Sequence, residues 1–370
     1  MKGLLSNMNS KPKLLYIVES FGGGVFTYLV DLANNLSVNY DIVIAYGIRK
    51  QTPENYREYF KPEIRMIQVK NFGRSVNPVH DLRAFSEIRH ICEQVQPDII
   101  HLHSSKAGVL GRFAFDGRKI PIFYTPHGYS FLMQDENRIK RTLYKCIEKV
   151  SAMRTCVTIS CSKGEHEETL ALTQNAVYVN NGINIAHLNH TLSKLHQVEG
   201  QKEHAVFTLG RICYQKNPEL FNQIALQFPK IRFIWIGDGE LRSSLTADNI
   251  EVTGWLERHK ALEKAQEADM FMLTSLWEGL PISLLEAMYM KKICIVSNVI
   301  GNKDVIRNGY NGFVCQNVQD FCQAIKSVLS SDTQELTQHA YHDILNIYNT
   351  DVMSAAYNKI YQKAIKEKKI

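Results

Sequence analysis

Two carboxylates, Glu278 and Glu286, stand eight residues apart around a Gly-Leu-Pro turn. A short buried strand is predicted just upstream, over residues 269–274, and the apolar residues after the proline predict a helix. A junction of strand, loop and helix N-terminus directs free backbone N–H groups and the positive end of the helix dipole into one cleft, which suits a phosphate. Carboxylates cannot bind the phosphate itself, so this pair is predicted to accept hydrogen bonds from sugar hydroxyls.

The run Glu-Gly-Leu-Pro-x4-Glu-Ala resembles the signature of the retaining, nucleotide-sugar-dependent glycosyltransferases of family 4, which have the GT-B fold. The same pair on a helix could instead be a solvated face. The resemblance covers essentially the whole chain and implies that Glu278 contacts the donor sugar and Glu286 the ribose. It also implies that backbone groups at three positions orient sugar and phosphate, namely Gly279, Leu280 and Pro281.

A second candidate site, in the loop after the first strand of the second half, contains Arg211 and Lys216. An arginine and a lysine at this spacing can clamp a diphosphate from two sides, or they can be ordinary surface charge. The Gly-Arg-x4-Lys-Asn arrangement resembles the family's diphosphate site, which implies that both residues stabilise the leaving nucleotide. Thr253 and Gly254 lie where relatives contact the base through backbone groups, and uracil is the expected base.

The first half contributes a glycine loop and a histidine. Gly23 and Gly24 follow the first predicted strand and let backbone approach a ligand closely, although a bare tight turn is the alternative. The resemblance places them near the donor phosphates. His127, between a proline and a glycine at the end of a strand, resembles the family's active-site histidine. With Glu278, Arg211 and Lys216 it completes the predicted catalytic set.

A further strand-to-helix loop carries two histidines, a serine pair and a lysine. His101 and His103 alternate along the strand and are expected to point to opposite faces of the sheet, so they are not expected to share a metal. His103, Ser104 and Lys106 are candidates for contact with an acceptor. This loop, together with the later Thr-Pro-His-Gly, resembles bacterial surface-polysaccharide members of the family.

Composition sets broader limits. A chain of 370 residues with 45% hydrophobic and 10% aromatic residues predicts two globular domains. The sequence contains no run of 18 apolar residues, so no membrane span is predicted. Its polar start lacks the pattern of a signal peptide. Eight scattered cysteines favour buried free thiols in a reducing cytoplasm. No loop holds an Asp-x-Asp pair, so neither a metal nor another cofactor is expected.

The positive charge is confined to the first half. Residues 1–180 contain 23 Lys and Arg against 17 Asp and Glu, whereas residues 181–370 contain 20 of each. A helix predicted over residues 137–153 is basic and carries an apolar stripe at Leu143, Ile147 and Val150. The helix is interpreted either as a solvated helix packed on its domain or as a surface for anionic lipid headgroups or a lipid pyrophosphate. Nucleic acid is not an expected partner.

Strands and helices alternate over residues 14–179, and the pattern restarts at residue 205 after a polar segment over residues 181–203 that is expected to be a linker. In the second half, a helix is expected near residues 240–246. Alternation with apolar strands predicts doubly wound parallel sheets. The expected fold class is therefore α/β, of the GT-B type, with two Rossmann-like domains facing a central cleft. The predicted boundaries are residues 1–180, 181–350 and, for a C-terminal helix that returns to the first domain, 351–370.

The family resemblance implies a retaining glycosyltransferase that uses a nucleoside-diphosphate sugar, with UDP the expected nucleotide. Because no loop holds an Asp-x-Asp pair, the enzyme is expected to be metal-independent. The expected acceptor is a hydroxyl of a lipid-pyrophosphate-linked sugar or oligosaccharide in capsule, O-antigen or exopolysaccharide synthesis. The expected location is the cytoplasm, with peripheral contact at the anionic inner face of the membrane. Two alternatives stay open: a catalytically silent subunit that binds nucleotide or a partner enzyme, and a nucleotide-sugar epimerase of the same fold.

Overall fold

The computed structural model describes residues 11–73, 77–194 and 204–368. Within them, the first domain is a parallel sheet whose strands are β1 (Lys13–Phe21), β2 (Asp41–Ile48), β3 (Arg65–Gln68), β4 (Ile99–His103), β5 (Ile122–Thr125), β6 (Val157–Ser160) and β7 (Ala176–Tyr178). Its helices are α1 (Gly23–Leu36), α2 (Pro78–Val95), α3 (Ser105–Ala114), α4 (Arg138–Ala152) and α5 (Lys163–Leu170). The strand order is β3-β2-β1-β4-β5-β6-β7.

Both faces of this sheet are covered, which explains the apolar runs in its central strand β1 and in β2. In β1, Leu14 and Tyr16 belong to one buried cluster, whereas Leu15 and Ile17 belong to the cluster on the opposite face. Parallel pairing sets Leu15 between Val43 of β2 and Ile100 of β4. The carboxyl ends of β1, β4 and β5 therefore share one edge, and the glycine loop, His103 and His127 lie at it.

The second domain repeats this plan. After α6 (Ile185–Ser193), its described strands are β8 (Ala205–Leu209), β9 (Arg232–Ile236), β10 (Ile250–Val252), β11 (Met270–Leu273), β12 (Ile293–Ser297) and β13 (Phe313–Cys315). Its helices are α7 (Pro218–Gln227), α8 (Arg258–Gln266), α9 (Ile282–Tyr289), α10 (Asn302–Val305), α11 (Val318–Ser330) and α12 (Gln334–Asn346). The strand order is β10-β9-β8-β11-β12-β13, with every pair parallel.

The chain crosses between the domains twice, and the two crossings are hydrogen-bonded to each other. The amide of Ile183 donates to the carbonyl of Tyr348 at 3.0 Å, and the amide of Thr350 donates to the carbonyl of Ile183 at 3.0 Å. Gly182 packs so closely on the second crossing that a Cβ there would lie 2.3 Å from the carbonyl of Asn349. The polypeptide thus passes between the two domains at one place.

The second crossing leads into α13 (Thr350–Lys368), which packs on the first domain. Tyr357 and Tyr361 are fully buried in the cluster that includes Leu14 and Tyr16. The hydroxyl of Tyr28 on α1 donates to that of Tyr357 at 2.6 Å. The last helix is therefore part of the core of the first domain.

Two segments differ from the expectations. The polar segment over residues 181–203 was expected to be a linker, but it contains α6, which is capped by the side chain of Asn184; residues 195–203 lie outside the described part. The helix expected near residues 240–246 is a single 3₁₀ turn, Arg242–Ser244. Here Gly239 packs tightly on the loop before α7, where a Cβ would lie 2.1 Å from the carbonyl oxygen of Ile212, and this contact leaves the segment as a loop.

Helix α4 packs through its polar side. Glu148 and Ser151 are buried, and Glu148 accepts hydrogen bonds from Arg112 at 2.6 Å and from the Tyr124 hydroxyl at 2.9 Å. The apolar stripe faces outward instead: Leu143 is 55% exposed and Val150 54% exposed. Helix α4 is thus packed on its domain, as one of the two interpretations had it. Its apolar face is not covered by the rest of the described chain.

Replacing Tyr357 by alanine is expected to destabilise the first domain by about 3–5 kcal/mol, because it removes a buried aromatic ring. Tyr357→Phe keeps the ring and loses one buried hydrogen bond, so about 1–2 kcal/mol is expected. Urea unfolding followed by circular dichroism measures both changes. Lys359→Ala, at an exposed position of α13, is the control. An alanine variant as stable as this control would show that α13 contributes little to the core.

Candidate active site

Two loops, one from each domain, meet backbone to backbone at the cleft. His127 and Gly128 follow β5, and Gly279 lies between β11 and α9. A Cβ on Gly279 would lie 3.0 Å from the amide nitrogen of Gly128 and 3.1 Å from the carbonyl carbon of His127. Gly128 has a φ of +93° and His127 one of +57°, a left-handed turn that favours glycine. Only small residues allow this approach.

The His127 loop is held by Glu165, a residue that the sequence analysis missed. Its carboxylate accepts hydrogen bonds from the amides of Gly128 at 2.6 Å and Cys161 at 2.7 Å. Complete burial raises the pKa of Glu165, and these two amides oppose the rise. The sequence did carry a signal, because Ser162 and Glu165 have the spacing of a capping box. Ser162 caps α5, but the glutamate instead bonds across to the loop.

Asp304 joins the domains on the other side of the same contact. Its carboxylate accepts from the amide of Gly301 at 3.0 Å, within its own turn, and from the amide of Gly164 of α5 at 3.0 Å. Gly301 has a φ of +84°, and a Cβ there would lie 2.4 Å from the carbonyl oxygen of Gly279. Asp304 therefore caps α10 and also binds the start of α5 in the first domain.

Glu278 and Lys216, expected to contact sugar and diphosphate, contact each other. The ammonium of Lys216 donates to the carboxylate of Glu278 at 2.6 Å, and the hydroxyl of Ser275 donates to the same oxygen at 2.7 Å. Gln215 ties the two loops together by donating to the carbonyl of Trp277 at 2.9 Å. Glu278 is 7% exposed, so the pair is a nearly buried one.

Helix α9 begins beside this pair without a side-chain cap. Its first intrahelical hydrogen bonds run from the amides of Leu284 and Leu285 to the carbonyl of Pro281. The N–H groups of the preceding residues thus lie at the positive end of the helix dipole, next to Glu278. Leu280 is buried, and its carbonyl accepts from Asn181 at 2.9 Å, which fixes the loop to the first crossing.

The second cation predicted at the diphosphate, Arg211, forms an ion pair with a carboxylate of its own domain. It makes a two-fold contact with Glu240, at 3.0 Å and 2.7 Å, which raises the pKa of its guanidinium. The predicted base-reading segment lies at the end of β10. There the hydroxyl of Thr253 accepts from Gly237 at 3.2 Å, and Gly254 has a φ of +73°.

Glu286, expected to contact ribose, forms an ion pair with Arg258 at the start of α8. Its side chain is 2% exposed. Asp31 on α1 of the first domain faces the same pair: burial raises its pKa to about 7, the positive charge of Arg258 opposes that rise, and the negative charge of Glu286 adds to it. Arg258 and Asp31 were missed, because an isolated arginine or aspartate on a helix carries no motif.

The histidines of β4 correct one expectation. His101 and His103 do not point to opposite faces, because residues two apart in a strand share a face. Their ring centroids lie 4.0 Å apart, and both side chains are fully buried. Nδ1 of His103 lies 3.0 Å from Nε2 of His127. Among the other residues expected to contact an acceptor, the Ser104 hydroxyl is buried, and Lys106 pairs with Asp81 at 2.9 Å.

The glycine loop lies at the same sheet edge. Gly23 and Gly24 are exposed first residues of α1, and a Cβ on either would meet no atom within 4 Å. Within the described ranges, no group of three or more His, Cys, Asp or Glu is arranged to hold a metal ion. In the same part of the chain, no helix is long and apolar enough to cross a membrane.

Two Rossmann-like domains with loops meeting at the cleft define a GT-B protein. The sequence profile "Glycosyltransferase Family 4" matches residues 22–187, and the profile "Glycosyl transferases group 1" matches residues 191–343. The chain belongs to the GT-B glycosyltransferases of the family 4 type, as the sequence motifs predicted.

Curated relatives have names from surface-polysaccharide and lipid-linked glycan synthesis. The chain is 28% identical over 324 residues to an Escherichia coli UDP-Gal:alpha-D-GlcNAc-diphosphoundecaprenol alpha-1,3-galactosyltransferase, covering 79% of this chain and 82% of the relative. It is 24% identical over 334 residues to the Campylobacter jejuni N,N'-diacetylbacillosaminyl-diphospho-undecaprenol alpha-1,3-N-acetylgalactosaminyltransferase, covering 81% and 86%.

Solved structures support the fold. Sucrose-phosphate synthase from Thermosynechococcus elongatus superposes with a TM-score of 0.78 at 14% identity, covering 96% of this chain and 100% of that one. Anabaena HepE in complex with UDP and glucose superposes with a TM-score of 0.74 at 16% identity, covering 95% and 99%. The GT-B fold with two parallel-sheet domains is thereby confirmed.

Gly279→Ala is expected to lower kcat/KM for sugar transfer by about 10- to 100-fold. The added methyl would push the two loops apart, and a displacement of about 1 Å in a site can cost that much. Gly73→Ala, where a Cβ would meet no atom within 4 Å, is the matched control. Wild-type kinetics in the Gly279 variant would show that the loops do not need this contact.

Proposed function

We propose that this protein transfers a sugar, with retention of anomeric configuration, from a UDP-sugar to a hydroxyl of a lipid-pyrophosphate-linked saccharide. The product would belong to a bacterial capsule, O-antigen or exopolysaccharide. The names of the E. coli and C. jejuni relatives, which both act on diphosphoundecaprenol-linked sugars, support the acceptor class. The UDP complex of HepE supports the nucleotide.

The observation that carries this proposal is the contact between Lys216 and Glu278 beside the uncapped start of α9. A lysine, a carboxylate and free helix amides at one point can receive a diphosphate and the hydroxyls of the attached sugar together. Lys216 would move from Glu278 to a phosphate oxygen, and Glu278 would then accept from sugar hydroxyls. Arg211 would exchange Glu240 for the diphosphate in the same way.

The first domain would supply His127 on the opposite side of the sugar. Retention is proposed to follow from departure and attack on one face, with the leaving phosphate accepting the proton of the acceptor hydroxyl. The cations and the α9 amides would neutralise the leaving group, which makes the reaction metal-independent in this proposal. Gly23 and Gly24 would lie along the phosphates, and Glu286 would contact the ribose.

A panel of UDP-, GDP- and ADP-sugars tests the donor site through release of nucleoside diphosphate in the presence of an undecaprenyl-diphosphate-linked sugar. One UDP-sugar is expected to be consumed. Glu278→Ala and Lys216→Ala should each lower kcat by about 100-fold or more, since each removes a charge that faces the reacting sugar or phosphate. Exposed charges of the same types, Glu335→Ala and Lys326→Ala, are the matched controls.

Each alternative gives a distinct result in this assay. Nucleotide binding with no turnover, unchanged by the Glu278 substitution, would identify a silent subunit. Conversion of the donor without acceptor would identify an epimerase. A product of inverted anomeric configuration, determined by NMR, would overturn retention. Activity lost with a chelator and restored by a divalent cation would overturn metal independence.

The outward face of α4 supports the second part of the proposal, peripheral contact with an anionic membrane. Ile139 is 81% exposed and Met153 82% exposed, at the two ends of the face. The exposed apolar residues of this surface are Phe113, Ile139, Leu143, Ile147, Val150 and Met153. A shallow groove of about 300 Å³ between α3 and α4 continues this surface.

Charge complementarity supports an anionic bilayer as the proposed occupant of this surface. Exposed cations border it at Arg138, Lys145 and Lys149, whereas Glu148, the one acid within α4, is buried against Arg112. An amphipathic helix with basic edges and an uncovered apolar face is the pattern that lies in the interface of anionic lipid. Helix α4 begins about ten residues after the His127 loop. The surface proposed to contact the membrane and the proposed acceptor site therefore belong to the same domain.

Leu143→Asp is expected to weaken vesicle binding by about tenfold or more, because burying a leucine side chain is worth about 1.5–3 kcal/mol. Co-sedimentation with phosphatidylcholine vesicles, with or without one third phosphatidylglycerol, measures binding. The wild type should prefer the anionic vesicles and lose affinity as salt is added. Leu345→Asp, an exposed leucine on α12, is the control. Equal binding by both variants, or self-association through α4 in place of vesicle binding, would contradict this proposal.

A further inference from the structure

Three histidines form a buried row between α13 and the cleft. The ring of His101 lies against that of His103, with centroids 4.0 Å apart. His103 in turn reaches His127 through Nδ1, which is 3.0 Å from Nε2 of His127. The side chains of His101 and His103 have no exposed surface, so neither can touch a substrate in this arrangement.

The contact between His103 and His127 is a hydrogen bond in the plane of both rings. The centroids are 5.3 Å apart and the planes differ by 22°, so the two nitrogens lie on the line that joins the rings. Burial lowers the pKa of His127 to about 3 and that of His103 well below its usual value. Both rings are therefore neutral at physiological pH, and one of the two nitrogens carries the shared proton.

The partner of the remaining nitrogen decides which ring donates. Nε2 of His103 is buried and has no hydrogen-bond partner among the described residues. If His127 donated, His103 would carry its own proton on Nε2, as a buried N–H without an acceptor. If His103 donates, Nε2 is an unpaired acceptor. Orphaned buried N–H groups are the rarer of the two defects in proteins, so donation by His103 is favoured.

We propose that His103 is a positioning residue that donates from Nδ1 and thereby holds neutral His127 with its own proton on Nδ1. His127 then presents an N–H to the cleft and acts as a hydrogen-bond donor to an oxygen of the donor sugar or its phosphate, not as a base. No proton is transferred through the row. The inference rests on the proposed function only in assigning the donor as the group that His127 meets.

His101 keeps His103 in this orientation. Both of its nitrogens are satisfied, Nδ1 by the hydroxyl of Tyr361 at 2.5 Å and Nε2 by that of Thr125 at 2.9 Å. Because Tyr361 belongs to α13, the helix that returns from the second domain helps to fix the ring on which His103 rests.

Two-bond ¹H–¹⁵N spectra of ¹⁵N-histidine-labelled full-length protein test the tautomer directly. His127 is assigned by comparison with a His127→Gln sample. We expect a protonated Nδ1 and an unprotonated Nε2 in His127 of the wild type. A wild-type spectrum with the proton on Nε2 of His127, or with an imidazolium, overturns the proposal without any variant and without any activity measurement.

A matched pair at position 103 tests the cause. His103→Asn places an amide N–H near the position of Nδ1, whereas His103→Leu has a similar shape and no donor. We expect the asparagine variant to keep the tautomer and to lose less than about threefold in kcat. The leucine variant should shift His127 towards the Nε2 tautomer and lose about tenfold or more in kcat, with KM for the donor little changed.

Identical His127 spectra in the wild type and the leucine variant would overturn the proposal, whatever happens to kcat. Equal loss of kcat in both variants with an unchanged tautomer would show that His103 only fills space. Thermal unfolding midpoints of both variants give the control for folding. If no donor is turned over at all, the proposed function fails, and the spectra still decide the tautomer.

Discussion

The arrangement of the site depends on the tight packing of two backbone turns, at Gly128 in the first domain and Gly279 in the second. Everything at the cleft depends on their approach, because His127 and Glu278 are the immediate neighbours of these glycines. The contact is enforced from both sides: Glu165 accepts a hydrogen bond from the amide of Gly128 in the first turn, and Asp304 joins the second domain to the start of α5. Since a left-handed or crowded backbone position tolerates no side chain cheaply, glycine at these points is a structural requirement of the site.

The charged residues at the cleft are likewise paired within the protein. Each cation expected at the diphosphate already rests on a carboxylate of its own domain, Lys216 on Glu278 and Arg211 on Glu240. Glu286 is likewise paired with Arg258. Partly buried charges need partners, and removing one partner leaves the other at a cost of several kcal/mol. An anionic ligand that offers oxygens to the cations and hydroxyls to the carboxylates replaces both halves of each pair at once. A free phosphate offers mainly acceptors and would leave the carboxylates largely unpaired, so the arrangement favours a ligand with both kinds of group.

Sequence patterns predicted most of this architecture, since apolar strands alternating with helices have few alternatives to a doubly wound sheet. They also located the loops, because Gly279, Lys216 and His127 all follow predicted strands. What they missed has a common physical origin. Glu165, Arg258 and Asp31 act across loops or domains, and no spacing along the chain encodes such contacts. The error on His101 and His103 was of another kind, since the period of a strand already places them on one face. The sequence left two interpretations of α4 open, a packed solvated helix or a lipid-facing surface, because a hydrophobic stripe on a helix normally faces the core.

The position of α13 connects these features. It begins at the paired crossings near Ile183 and ends inside the first domain, where Tyr361 bonds to His101 and Tyr357 to Tyr28. The histidine row, α4 and the glycine loop therefore all belong to the first domain, and the chain passes between this domain and the second at the paired crossings. A rotation at these crossings would change the distance between Gly279 and Gly128 and leave His127 fixed relative to α4. In the proposed reaction, the acceptor would thus keep its position relative to the membrane and to His127. The donor would move with the second domain towards the acceptor.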